Sequence, residues 1–226
     1  MSEEPTPRIR IHEGGPYEVT GEPILTKRAQ SESIYGEPLD WDLVGSEDAD
    51  YERRDTYLLC RCGQSGTKPF CDGTHQKIDF EGKLTADRAP SASRQTLIEG
   101  DNISITDDRS LCEQAGFCGT RFTNVWAMMK STKDPEVRER ARRMVANCPS
   151  GRLGFGPGYE DLEPQYEQSL ATIKDGPLWV RGGIEMETDD GYVYEKLNRM
   201  TLCRCGRSSN KPYCDGSHKN VGFQAD

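Results

Sequence analysis

The sequence predicts an α+β protein in which two related β-rich units flank a smaller segment of mixed type. Three observations carry this. A sixteen-residue stretch occurs twice, as CRCGQSGTKPFCDGTH from Cys60 to His75 and as CRCGRSSNKPYCDGSH from Cys203 to His218. Short runs of alternating apolar and polar residues precede each copy, the signature of half-buried strands. Between the copies lie two apolar stripes at helical spacing.

Taken in order, residues 1–7 read as a disordered polar tail and 8–85 as the first unit. Ile9 and Ile11, then Tyr17 and Val19, then Ile24 and Leu25 after the Gly21 turn, read as short strands. The acidic stretch Ser31 to Asp55, with Trp41 and Tyr51, reads as a surface loop. A strand at Tyr57 to Leu59 leads into the first motif, and Ile78 and Phe80 can anchor the chain after it. Residues 86–96 are a linker by composition. The segment 97–156 opens with a strand at Asn102 to Thr106. Phe122, Val125, Trp126 and Met129 then form one core stripe. Asp134-Pro135 is an N-cap and first-turn pair opening a second helix, with Val137, Ala141, Met144 and Val145 as its apolar face. Its arginines are a solvated face, and residues 151–158 are a turn-rich exit. A connector, 157–169, leads to the second unit, 170–226. There Gly176-Pro177-Leu178-Trp179-Val180 echoes Gly15-Pro16-Tyr17-Glu18-Val19, so the repeat is larger than the motif.

The motifs hold six of the nine cysteines and two of the three histidines. Cys60, Cys62, Cys71 and His75 form one set, and Cys203, Cys205, Cys214 and His218 the other. Three thiolates and an imidazole suit zinc or an iron–sulfur centre. The C-x-C pair is tight for one tetrahedral zinc, which more often uses C-x2-C, so the spacing leans toward a cluster. Asp72 and Asp215 are placed to N-cap a short helix, while Gly73 and Gly216 let the backbone approach the centre.

Both stretches resemble the CDGSH iron–sulfur family, whose motif is C-x-C-x2-S/T-x3-P-x-C-D-G-S/A/T-H. The first copy meets it with Cys60, Cys62, Ser65, Pro69, Cys71, Asp72, Gly73, Thr74 and His75. The second meets it with Cys203, Cys205, Ser208, Pro212, Cys214, Asp215, Gly216, Ser217 and His218. The resemblance implies one 2Fe-2S cluster per motif, the C-x-C pair on one iron and the third Cys with His on the other. A zinc knuckle and an empty disulfide-bonded loop are the alternatives. In the family such units pair across a homodimer. Two in one chain imply a β-rich cradle built as an intramolecular pseudo-dimer, and a monomer.

The middle segment resembles a single-cluster ferredoxin. The usual run C-x2-C-x2-C would place cysteines at 112, 115 and 118, with a last ligand before a proline. Here Cys112, Cys118 and Cys148-Pro149 are present and position 115 is Ala115. This resemblance implies a small ferredoxin-like α+β domain. It holds a 3Fe-4S cluster, a 4Fe-4S cluster with a non-Cys fourth ligand, or three idle thiols.

Composition narrows the functional classes. The chain has 226 residues, 34% hydrophobic and 30% charged, with 23 Gly and 13 Pro. That is too polar for one large core and suits small domains held by metal centres. The net charge of −9 argues against nucleic acid or an anionic membrane as partner. MSEEPTPRIR has no apolar h-region, and no run approaches about eighteen apolar residues, so neither a signal peptide nor a membrane span is expected. An odd cysteine count grouped for metal suits a reducing cytoplasm. No nucleophile–base pair, P-loop or dinucleotide fingerprint is apparent, so a carrier is expected rather than an enzyme. The readings are electron transfer with a redox-partner protein, storage and donation of 2Fe-2S units to an apo-acceptor protein, or redox or iron sensing through a docked partner.

Overall fold

A computed structural model of the chain describes residues 6–45, 51–52 and 54–225. The expected polar tail, apart from Thr6 and Pro7, and part of the acidic stretch lie outside the described residues.

The first unit opens with β1 (Arg8–Ile11), whose Arg-Ile-Arg-Ile alternation buries Ile9 and Ile11 and exposes both arginines. It pairs antiparallel with β2 (Tyr17–Thr20). Then come β3 (Ile24–Glu32), β4 (Pro38–Leu43) and β5 (Thr56–Leu59). The second unit supplies β9 (Ser169–Ile173), β10 (Leu178–Arg181), β11 (Glu185–Thr188) and β12 (Arg199–Leu202).

The units exchange strands. One sheet has the order β11-β1-β2-β5 and the other β12-β10-β9-β3-β4. Strand β11 of the second unit runs parallel to β1, with Ile9 opposite Met186, and β3 of the first unit runs parallel to β9, with Leu25 opposite Leu170. The first sheet thus takes in β11 from the second unit and the second sheet takes in β3 and β4 from the first, and both contribute to one core that includes Ile11, Val19, Leu25, Leu59, Val180 and Leu202.

The middle domain has its own sheet, β6 (Thr96–Gly100), β7 (Ile103–Asp107) and β8 (Leu153–Phe155), in that order. Against it pack α1 (Val125–Met128) and α2 (Pro135–Ala146), around a second core of Ile103, Ile105, Val125, Met129, Ala141 and Val145. Asp134 caps α2 as expected, its carboxylate accepting from Glu136 N at 2.8 Å, with Pro135 in the first turn. Arg199 joins this domain to the second unit. It is 2% exposed and donates to the Val145, Ala146 and Leu153 carbonyls while pairing with Glu163. Two of those carbonyls, Val145 and Ala146, belong to the last turn of α2.

Three expectations need correction. The acidic stretch is not a surface loop throughout. Strand β3 runs on to Glu32 and β4 pairs back on it. Trp41 stacks against Phe117 and Trp179 at 5.0 Å and donates its indole N–H to Asn147 O. The β3–β4 hairpin therefore bridges the second sheet and the middle domain. Phe122 leaves the expected core stripe: it precedes α1 and is 84% exposed, because the chain turns at Thr120 to Thr123 before the helix opens at the Asn124 cap. The turn-rich exit contains β8, which completes the middle sheet by pairing with β7.

Candidate metal centres

Each motif folds back on the strand that leads into it. Cys60 N donates to Pro69 O and Cys71 N to Leu58 O, which lays Cys71 beside the end of β5. Cys203 N and Cys214 N do the same with Pro212 O and Thr201 O at the end of β12. Inside the loops, Ser65 Oγ donates to Phe70 O and Ser208 Oγ to Tyr213 O, while Lys68 and Lys211 donate to the Ser65 and Ser208 carbonyls.

A short helical turn then returns the histidine to the third cysteine. It is 3-10 in type at Thr74–Gln76 and α-helical at α3 (Ser217–Asn220). The cap position is Gly73 or Gly216, at φ 83° and 87°, not the aspartate expected from sequence. Those left-handed angles suit glycine. The aspartate one residue earlier still satisfies the turn. Asp72 accepts from Thr74 N and Gly66 N, and Asp215 from Ser217 N and Ser209 N.

The donors sit in pairs. Cys60 and Cys62 Sγ are 3.7 Å apart, and Cys203 and Cys205 Sγ 3.8 Å. Cys71 Sγ lies 3.3 Å from His75 Nδ1, and Cys214 Sγ 3.2 Å from His218 Nδ1. A disulfide needs about 2.05 Å, so these are thiols. Two thiolates at about 2.3 Å from one tetrahedral metal lie about 3.8 Å apart, so each pair has the bite of a single metal atom. Among the described residues, however, no three donors of one motif lie within 4.8 Å of one another. One tetrahedral ion would gather all four. Two adjacent metal atoms fit the pairs.

The motifs also touch each other. A Cβ on Gly63 (φ +77°) would meet Cys205 O at 2.6 Å, and one on Gly206 (φ +77°) would meet Cys62 O at 2.6 Å. Tyr17 of the first unit donates to Cys203 O and Pro212 O of the second motif. The buried Arg61 and Arg204, the middle residues of the two C-x-C pairs, tie each loop to its unit. Arg61 donates to the His12, Gly15 and Gly82 carbonyls, and Arg204 to the Gly176 and Ile173 carbonyls. Their occurrence in both repeats was the one sequence signal for this role.

The two sets differ in cover. Cys71 and His75 are half-buried, whereas Cys214 and His218 are buried. The middle domain supplies the cover: Gln114 donates to Asp215 O, Lys219 donates to Gln114 O, and the Glu113 carboxyl lies against Cys214 and His218. Burial, with Lys219 and Arg204 adding to it, draws His218 down to about 4. Burial pushes the Glu113 carboxyl up to about 8, against the pull of Lys219. In the Cys203–Cys205 pair one thiol donates to the other, drawing Cys203 down to about 6 and holding Cys205 far above the usual thiol range. His12, the remaining histidine, is hydrogen-bonded to Glu18 and Asp189.

In the middle domain Cys112, Cys118 and Cys148 all line one cavity of about 230 Å³, walled otherwise by Ala115, Phe117 and Leu153 among others. Cys112 follows a 3-10 turn at Arg109–Leu111, and Cys148 follows α2. Arg152 donates to Cys112 Sγ at 3.1 Å while its other nitrogens engage Asp107, which also accepts from Trp126 Nε1. A guanidinium at the wall of this cavity favours an anionic cluster inside it. Three sulfurs around a cavity, not within 4.8 Å of one another, suit a multi-iron cluster rather than one ion. Arg152, Asp107 and Glu113 carried no sequence signal, since lone charged residues near cysteines are common.

Residues 14–76 and 175–219 match the family model described as iron-binding zinc finger, CDGSH type. Residues 98–155 match the family described as divergent 4Fe-4S mono-cluster. No curated protein matches the chain.

Proposed function

We propose, from the premise that this chain is a tandem CDGSH-type iron–sulfur protein with a single-cluster domain inserted between its two units, that it transfers electrons through three linked centres. Cys60, Cys62, Cys71 and His75 hold one 2Fe-2S cluster and Cys203, Cys205, Cys214 and His218 a second, each iron taking one of the observed donor pairs. Cys112, Cys118 and Cys148 hold a 3Fe-4S cluster, or a 4Fe-4S cluster completed by a non-cysteine ligand. Such clusters supply one-electron redox chemistry, and an imidazole in place of a thiolate raises the potential.

The observation that carries this reading is the continuity of the three sites. The loop that begins at Cys112 lies on Cys214, His218 and Gly216 of the second motif, and the second motif meets the first through Gly63 and Cys205. Loops closed by backbone and serine hydrogen bonds hold the donors in both motifs. The strand exchange supports an intramolecular pseudo-dimer cradle and hence a monomer. No helix among the described residues is long and apolar enough to cross a membrane, the charge of −9 favours a protein redox partner over nucleic acid, and free cysteines grouped for metal suit a reducing cytoplasm. The chain acts in this reading as a carrier, not an enzyme. The half-buried Cys71–His75 end favours one second reading, in which the first centre hands its cluster to an apo-acceptor protein.

Iron and sulfide counts with EPR of freshly purified protein test the reading. About seven or eight irons, with reduced 2Fe-2S signals broadened by neighbouring spins, are expected. About four irons would leave the middle domain without a cluster, and a colourless zinc protein would overturn the reading. Reversible potentiometric titration without iron loss separates electron transfer from cluster donation.

A further inference from the structure

We propose that Glu113 is a reserve ligand of the second CDGSH centre, placed so that its carboxylate can hold the metal position that His218 otherwise holds. This rests on the reading of that motif as a cluster site, and it adds to the four-residue motif a side chain from a different domain.

Three observations lead to it. A Glu113 carboxylate oxygen, Cys214 Sγ and a His218 ring nitrogen all lie within 4.8 Å of one another, and this is the one such trio among the described residues. Glu113 is 3% exposed and lies with His218 and Lys219 on the wall of one cavity. Burying a carboxylate costs free energy, which a metal cation beside it would offset. Its aim is also fixed. Gln114 takes a left-handed conformation at φ 66°, its side chain donates to Asp215 O, and its carbonyl accepts from Lys219. These contacts press the loop onto the helix turn that carries His218.

Carboxylate oxygen is a ligand iron accepts alongside imidazole. A tetrahedral site with two cluster sulfides and Cys214 leaves one position, so the carboxylate replaces the imidazole rather than joining it. One metal–nitrogen bond would be exchanged for one metal–oxygen bond, the carboxyl releasing its proton to the freed imidazole or to solvent, with no change in oxidation state. The first centre has no such trio, so the two centres differ in how they respond to losing a histidine.

The test compares His75→Ala, His218→Ala and the double variant Glu113→Gln/His218→Ala in the full chain, reading iron and sulfide per chain after desalting. His75→Ala is expected to lose about two irons, the content of one 2Fe-2S cluster. His218→Ala is expected to keep them, with the nitrogen coupling of the second centre gone from its pulsed EPR spectrum and its visible bands shifted. The double variant is expected to lose about two irons while the first-centre signal persists, which shows that the chain still folds. Equal iron in His218→Ala and the double variant, whether both keep or both lose it, would overturn the proposal. A Cys214→Ser variant with full iron and an unchanged spectrum would instead overturn the reading of the motif on which it rests.

Discussion

Asp72 and Asp215 occupy the same motif position, yet their settings differ. Asp72 is exposed and its carboxyl is held well below the usual range by hydrogen bonds from Thr74 and Gly66. For Asp215 burial opposes ionisation, but hydrogen bonds from Ser217 and Ser209 outweigh it and draw the carboxyl down to about 2. The folded value lies below the unfolded value of about 3.9. The carboxylate therefore stabilises the fold above about pH 4, and that contribution fades as pH falls through 2. Asp215→Ala removes the acceptor for Ser217 N at the turn carrying His218 and for Ser209 N in the motif loop, and is expected to cost about 1 kcal/mol at pH 7. In a chain of this size that lowers the melting temperature by about 2–4 °C. Melting curves of wild type and variant from pH 7 down to pH 2 check this, the gap narrowing below about pH 4. A gap independent of pH would mean that the charge is not what matters.

At the scale of elements, what could be read from sequence was what local pattern decides. Strand β1 shows itself by Ile9 and Ile11 between exposed arginines, and α2 by its Asp-Pro opening and the Ala141, Met144 and Val145 face. Strand β4 did not show itself, because Leu39 is exposed and Asp40 and Asp42 flank the residue that anchors it, Trp41. Its place is set by Phe117 and Trp179, remote in sequence. The cysteines and histidines that the structure brings into close pairs stood out because the motif repeats; the pairing of β1 with β11 and β3 with β9 did not, since no local pattern encodes which unit supplies a neighbour. Arg199 is a similar long-range device. It lies on β12, reads as an ordinary polar strand residue, and closes the end of α2 just before Cys148. Arg199→Met keeps the bulk but takes a charged donor away from three carbonyls and from Glu163. We expect a loss of about 2–4 kcal/mol in stability, from several charged hydrogen bonds given up at once. On the proposed three-cluster reading, the middle-domain cluster is expected to be lost before the clusters of the two motifs. Thermal melts combined with cluster-resolved EPR measure both, and simultaneous loss of all three signals would contradict this order.

At the scale of the whole molecule, the question is whether the two motifs behave as separate sites or as one body. Shared strands and a shared core join the units, but the closest link is at the centres themselves. Gly63 and Gly206 each lie with φ +77° against the other motif's C-x-C backbone. Gly63→Ala puts a methyl group 2.6 Å from Cys205 O and 2.8 Å from Cys205 C, atoms that no side-chain rotation can move aside. A side chain at that φ costs about 1 kcal/mol, and overpacking a tight contact typically adds about 1–3 kcal/mol. The strain falls on both loops, because the residue pushed away is in the other motif. Gly63→Ala is therefore expected to weaken the second centre as well as the first, and Gly206→Ala to weaken the first as well as the second. Following the decay of each reduced signal during incubation with a chelator distinguishes the cases. Faster loss at both centres in each variant means that cluster retention is a property of the joined pair. Faster loss confined to the mutated motif would mean that the contact only brings the loops together and that each holds its cluster alone.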